Sequence, residues 1–220
     1  MRLRFLGTGT SFGIPVIGCE CAVCRSPDPH DRRTRHAAVL EDEGRRILID
    51  TPPELRLQLL QAGIQDVDAV WYTHHHADHT HGVDDLRVFS MRSGAPISVY
   101  GSQECLDYLA AKFDYVFDQN LTPLDGTTKP EGELRVVRPY EEVEIAGFRM
   151  IPLPVPHGPI ESYGFRTGRL GYITDAKSLP EATRKALEGI EVLVLNALWF
   201  GMEHPSHFNV EEAVEVALEV

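Results

Sequence analysis

The sequence is short of several things, and each shortage excludes something. None of its apolar runs approaches the ~18 residues of a membrane-crossing helix. Its opening, Met1-Arg2-Leu3-Arg4-Phe5-Leu6-Gly7, has no signal-peptide core, so the cytoplasm is the expected compartment. Only 4 of its 21 basic residues are lysine, and basic residues are outnumbered by 33 acidic ones, leaving a net charge of −12. Such a surface repels phosphate backbones and disfavours long nucleic acid as a non-specifically bound partner. There are only four cysteines, three of them crowded into residues 19–24. That crowding is wrong for a disulfide framework and right for a thiolate metal site in a reducing compartment. The remaining composition, 43% hydrophobic and 25% charged, is that of a folded globular chain and excludes disordered, collagen-like and coiled-coil classes.

What is abundant is histidine, ten in all, with five between His74 and His81. The 220 residues contain no linker and no repeat, so a single domain over residues 1–220 is expected. Residues 2–6 read as a strand, followed by the Gly-rich turn Gly7-Thr8-Gly9-Thr10-Ser11. Residues 36–50 read as two strands around a polar turn, ending at Asp50. Pro52-Pro53, Leu55, Leu59 and Gly63 mark the start, apolar face and end of a helix. Val67–Tyr72 is a buried strand running into the histidines. Further strands are expected at 97–100, 143–150 (a hairpin about Ala146-Gly147), 162–167, 170–174 and 192–195, the last of them buried. Helices are expected at 102–113, 178–188 and after Asn209, with Glu212 three residues beyond that cap. Residues 118–133 read as a loop. Strands dominate, with helices between and outside them. This predicts an α/β (α+β) class, a two-sheet core flanked by helices.

The central motif is Thr73-His74-His75-His76-Ala77-Asp78-His79, an H-x-H-x-D-H pattern at a strand end. A turn there brings the imidazoles of His74 and His76 to one point, and Asp78 and His79 to a second. Imidazole with carboxylate suits Zn²⁺, Mn²⁺ or Fe²⁺, and two such ions make a hydrolytic centre. His157, after a proline-rich run, and Asp175, after Gly171-Tyr172-Ile173-Thr174, stand at strand ends too. They are expected as a third ligand for one ion and a carboxylate shared by both. His75 and His81 match no ligand position. Cys105 lies in an expected helix and reads as buried.

This order of residues resembles the metallo-β-lactamase superfamily. The resemblance implies a four-layer αββα sandwich with the metals at one edge of its two sheets. It places His74, His76 and His157 on one ion, Asp78 and His79 on the other, and Asp175 on both. Gly7–Ser11, then Cys19-x-Cys21-x2-Cys24, Ser26, Asp28 and Arg35, is similar to one branch, which holds the phosphoribosyl cyclic phosphate phosphodiesterase of phosphonate degradation. There the three cysteines belong to a structural zinc. The segment His204-Pro205-Ser206-His207 also resembles this branch, where a histidine before the final helix acts as a catalytic acid or phosphate ligand. His207 matches best and His204 second. The family continues past this helix into a strand and a His-bearing loop that this sequence lacks, so the domain is expected to be cut short at its C-terminal end.

The resemblance implies a phosphodiesterase that hydrolyses a small, cyclic or linear, phosphate diester with two divalent ions, Zn or Mn. Asp78 would orient the attacking hydroxide, and His207 would serve the leaving oxygen. A homodimer is left open. Three alternatives stand beside it. A tRNA 3′-processing endonuclease, RNase Z, would need a long basic arm, and the 118–133 loop has Lys129 as its single basic residue. A thioester or β-lactam hydrolase would not explain the cysteines or the 204–210 segment. A non-catalytic metal-bound scaffold or carrier would explain an incomplete ligand set.

Overall fold

The structure, a computed structural model, describes all residues from 1 to 220. The chain divides into two compact units, Met1–Arg135 and Val136–Val220. No helix is long and apolar enough to cross a membrane.

The first unit is built on a six-stranded sheet. Its strands are β1 (Arg2–Gly7), β2 (Ala37–Asp42), β3 (Arg45–Ile49), β4 (Ala69–Trp71), β5 (Ile97–Gly101) and β6 (Gly132–Val136), in spatial order identical to chain order. β1, β2 and β3 pair antiparallel, the last two through the tight turn at Glu43-Gly44. β3, β4 and β5 pair parallel, and parallel neighbours need crossovers. The first crossover carries α1 (Leu55–Ala62), ended by Gly63 in the left-handed conformation as a glycine there allows. The second carries the short α2 (Ala77–Thr80) and α3 (Arg87–Ser93). Two helices, α4 (Gln103–Lys112) and α5 (Asp114–Phe117), follow β5. Ser102 caps α4 by accepting from the Cys105 N–H at 3.2 Å. The core gathers Val39, Leu48, Val70, Tyr72 and Val99 from the strands with Leu55, Leu59, Leu86, Phe89, Leu106 and Leu109 from the helices. Each such side chain contributes roughly 1.5–3 kcal/mol by leaving water. Cys105 is buried among them.

The second unit holds five strands: β7 (Val143–Ile145), β8 (Phe148–His157), β9 (Ile160–Thr167), β10 (Leu170–Tyr172) and β11 (Val192–Val194), in the order β11-β10-β9-β8-β7. The hairpin about Ala146-Gly147 is as expected, but its second strand runs on to His157 through Pro152, Pro154 and Pro156. Proline is tolerated in a strand only where no ladder donor is required. All three prolines share one parity, and their carbonyls face away from β9. They accept instead from Tyr140 N–H, the Thr183 hydroxyl and Lys177 N–H at 3.0, 2.9 and 3.0 Å. The strand at 192–195 is not buried. β11 is an edge strand flanked by β10 alone, and Val192 is 55% exposed. Helices α6 (Glu181–Leu187) and α7 (Val210–Leu218) complete the unit. Leu179, Leu187, Phe208, Ala213 and Val216 pack with Leu153, Val155 and Ile173 of the β8 and β10 region. The Asn209–Glu212 capping box that opens α7 forms as its sequence predicts.

Candidate metal centre

The histidines of the first unit are fixed from the end of β4. The buried strand delivers Tyr72, Thr73 and His74, all fully buried, and α2 returns His79 beside them. The return is tight: Thr51 N–H donates to the His79 carbonyl at 2.7 Å and Gly82 N–H to the Thr51 carbonyl at 2.8 Å. A Cβ on Gly82 would lie 2.1 Å from the Pro52 carbonyl oxygen, so only glycine fits there.

At the centre of this knot is Asp50, fully buried and held at a φ of 62°, a conformation costly for a residue with a Cβ. Its Oδ1 accepts from Thr73 N–H at 2.8 Å. Its Oδ2 accepts from the Thr73 hydroxyl at 2.8 Å and from His79 Nδ1 at 2.6 Å, and the His36 Nδ1 stands 3.2 Å away. Burial drives this carboxyl up, but the imidazoles of His79 and His36 overcome it and hold the group well below the usual carboxylate range. With its proton given to Asp50, the Thr73 oxygen accepts from His74 Nδ1 at 3.1 Å. The network therefore assigns the Nδ1–H form to both His74 and His79, so that each Nε2 carries its lone pair.

Those Nε2 atoms meet further ligands. His74 Nε2 lies 3.0 Å from His76 Nδ1. His79 Nε2 lies 3.6 Å from an Asp78 oxygen, too long for a hydrogen bond. Donor atoms ~2.0–2.2 Å from a shared ion sit roughly 3–4 Å apart, so both spacings fit a cation. His75 and His81 face elsewhere, against Tyr108 and Phe113 of the α4 region, with ring centroids 4.5 and 5.5 Å apart.

The second unit repeats the device. His157, buried at the end of β8, donates from Nδ1 to the Ser206 carbonyl at 3.0 Å, and its Nε2 lies 3.8 Å from an Asp175 oxygen. Asp175, like Asp50, has a left-handed backbone, with φ 56°. Its Oδ1 accepts from the Thr174 hydroxyl at 2.8 Å. The strand pair behind it requires Gly164, where a Cβ would stand 2.4 Å from the Tyr172 carbonyl oxygen. His207 brings a nitrogen within 4.8 Å of the His157 and Asp175 donors. His204 stays one ring further out, 4.9 Å from His207 and edge-on to Trp199.

The three thiols of Cys19, Cys21 and Cys24 also lie within 4.8 Å of one another. The Cys24 N–H and the neighbouring thiols pull Cys21 down to about 7. The Val16 N–H lowers Cys24, but burial and the adjacent sulfurs raise it overall. One ready thiolate among three sulfurs is a fitting donor set for a soft cation.

Asp50, His36 and Thr73 were not among the residues expected from sequence. Asp50 carried one readable signal, an acid closing the apolar run Ile47-Leu48-Ile49. His36 became visible only through the β2–β3 register, in which Ala38 faces Ile49.

The β-lactamase superfamily domain matches residues 45–220. The solved structure of a "new diphosphatase from the PhnP family" is 39% identical, with a TM-score of 0.87 over 99% of this chain and 81% of that one. Among curated proteins, an octanoyltransferase of Porphyromonas gingivalis is 40% identical over 216 residues, 98% of this chain but 43% of its own length. A ribonuclease Z of Methanopyrus kandleri is 27% identical over 219 residues, 94% of this chain and 64% of its own. The chain thus spans less than two thirds of these curated relatives.

Proposed function

Because the chain belongs to the β-lactamase superfamily, a hydrolytic one, and has the metallo-β-lactamase fold, we propose that it hydrolyses a small phosphate diester or diphosphate bridge using two divalent ions. The observation that supports this reading is the set of buried imidazoles whose Nδ1 atoms are engaged by hydrogen bonds, His74 and His79 through Thr73 and Asp50, His157 through the Ser206 carbonyl, which reserves their Nε2 lone pairs for a cation. The 39% identity to a diphosphatase over nearly the whole chain supports phosphorus as the reacting centre.

In this proposal His74, His76 and His157 would hold one ion and Asp78 and His79 the other, with Asp175 available to both. Divalent ions held by these residues, Zn or Mn, would supply Lewis acidity towards a phosphoryl oxygen and towards a water. The chain's residues do the rest. Asp78 fixes the direction of the attacking water by accepting its proton. His207, beside Asp175, gives its ring proton to the leaving oxygen. Asp50 and Thr73 keep the imidazoles from rotating. Cys19, Cys21 and Cys24 hold a separate, structural zinc. The acidic surface, net −12, suits a small substrate gripped by metal over a long polyanion.

The test is metal content of the purified chain together with hydrolysis of bis-p-nitrophenyl phosphate and of a dinucleoside diphosphate, with and without Mn²⁺. About three metals per chain and metal-dependent turnover of either substrate are expected. Metal bound without turnover of either would overturn the phosphodiesterase reading in favour of a metal-bound scaffold. Cleavage confined to a tRNA precursor would move it to the ribonuclease Z activity.

A further inference from the structure

Residues 14–30 carry no core of their own. None of them is buried, and residues 15–28 form neither strand nor helix. Ile17 is 97% exposed. Such a stretch is held by whatever cross-links it. Its internal bonds converge on sulfur. Val16 N–H donates to Cys24 Sγ and Cys24 N–H to Cys21 Sγ, each at 3.4 Å. Cys19 N–H and Arg25 N–H donate to the Val16 and Cys21 carbonyls, both at 3.0 Å. The sulfurs of Cys19, Cys21 and Cys24 lie within 4.8 Å of one another. Cys19 and Cys21 are exposed and Cys24 is half-buried.

Two features single out one pair of these sulfurs. Cys21-Ala22-Val23-Cys24 is a C-x-x-C turn whose second cysteine gives its backbone N–H to the first sulfur, a contact that favours a thiolate there. Cys21 is also open to solvent, so a small oxidant reaches it. Cys19 and Cys21 have only one residue between them, and a bond between them would close a tighter ring, against the geometry a disulfide prefers. Bringing Cys21 and Cys24 to the ~2.05 Å of a disulfide needs side-chain rotation and a small shift of the turn. No buried side chain in residues 14–30 resists that shift. Cys105 is the contrast, 1% exposed in the core around α4.

We propose that Cys21 is a modification site for hydroperoxides, that Cys24 resolves it, and that the resulting disulfide and a zinc ion exclude one another. The Cys21 sulfur, as thiolate, attacks one oxygen of hydrogen peroxide. The O–O bond breaks, the sulfur becomes a sulfenic acid, and the other oxygen leaves as hydroxide and takes up the proton Cys21 gave up. The Cys24 sulfur then attacks the Cys21 sulfur. The S–S bond forms, the S–OH bond breaks, and the departing hydroxide leaves as water with the Cys24 proton. Two thiols have lost two electrons, and one peroxide has become two waters. A dithiol reductant reverses the change. Cys19 is then the one thiolate left in the cluster, too few for a closed zinc site. The zinc clause rests on the structural-zinc reading, and the disulfide does not.

The experiment treats the full chain, zinc-loaded and zinc-stripped, with hydrogen peroxide. Peptide mass mapping locates the products, and a chromogenic chelator counts the zinc set free. In the stripped chain a Cys21–Cys24 disulfide forms at least about 10-fold faster than any change at Cys105, and dithiothreitol removes it. In the loaded chain each disulfide frees about one zinc. Cys24→Ser stops at the sulfenic acid, which dimedone traps on Cys21, and Cys19→Ser still forms the disulfide. A wild-type Cys21 that reacts no faster than Cys105 overturns the inference without recourse to any variant. So does a disulfide that uses Cys19, or a disulfide-bonded chain that keeps its full zinc. Cys21→Ser keeps the two readings apart. If the unoxidised variant binds as much zinc as the wild type, the structural-zinc reading and the exclusion fail together, while the wild-type peptide masses still decide the modification site.

Discussion

His79 donates to Asp50 at 2.6 Å from inside a fully buried pocket, and that carboxylate also accepts from the Thr73 hydroxyl and the Thr73 backbone N–H. Removing one partner of such a network strands the others without water. Asp50→Ala is therefore expected to lower stability by about 2–4 kcal/mol and to weaken metal binding by roughly 10–100-fold. Urea unfolding and a chelator titration read the two effects separately. Wild-type stability in this variant would show that the network contributes little.

His76 is different, because its side chain is exposed and its nitrogen faces His74 instead of the core. His76→Ala is expected to leave the melting temperature within a degree or two while reducing diester hydrolysis by more than about 100-fold. Normal turnover in a folded His76→Ala protein would remove the site from the mechanism.

Gly82 tests the frame beneath these ligands. Its missing Cβ is what lets the Pro52 carbonyl approach, and the Gly82 N–H holds Thr51, which in turn holds the His79 carbonyl. Gly82→Ala places a methyl against backbone that cannot swing aside. A loss of about 1–3 kcal/mol with a parallel loss of metal affinity is expected in calorimetry and titration, and a neutral effect on both would show that α2 is looser than this packing.

Elements with strong local signals were legible in the sequence: the β2–β3 hairpin through Glu43-Gly44, α1 between Pro53 and Gly63, and α7 with its Asn209–Glu212 box. The H-x-H-x-D-H run pointed to chemistry because its ligand types are adjacent in the chain. What escaped was set by tertiary pairing. β8 hid behind three prolines, whose tolerance depends on which side of the strand lacks a neighbour. His36 and Asp50 are 14 positions apart, and neither residue type announces the other. Helices as short as α2 and α5, four residues each, are below the length at which a helical period can be counted.

The cysteine cluster gives a pH-dependent prediction. With Cys21 lowered to about 7, zinc displaces no proton from that thiol above this value and one more below it, in addition to the proton of the raised Cys24. Zinc bound at this loop is expected to be retained at pH 8 and released progressively as the pH drops below about 7. In Cys21→Ser it should be missing at both. Atomic emission after gel filtration reads the stoichiometry, expected to fall by about one ion per chain, while diester turnover stays near wild type. A Cys21→Ser protein with full zinc would end the structural-zinc reading.

Glu212 offers the cleanest acid-sensitivity test, because it lies in a capping box away from the thiols. Lys177 Nζ approaches its Oε1 at 2.6 Å and the Asn209 N–H donates to its Oε2 at 2.9 Å. The lysine first and the backbone N–H second hold the carboxyl below its ordinary 4.5. A carboxyl lowered by folding stabilises the folded chain above that ordinary value, and the contribution disappears as the pH falls through the lowered one. Glu212→Gln keeps a weaker acceptor for the Asn209 N–H but loses the charge facing Lys177. It is expected to cost about 0.5–1 kcal/mol at pH 7, with the difference from wild type closing as the pH falls below the ordinary 4.5 and through the lowered value. Thermal melts across pH 3–8 measure the gap. A gap that stays constant down to pH 3 would mean that the ion pair with Lys177 is not what the substitution removes.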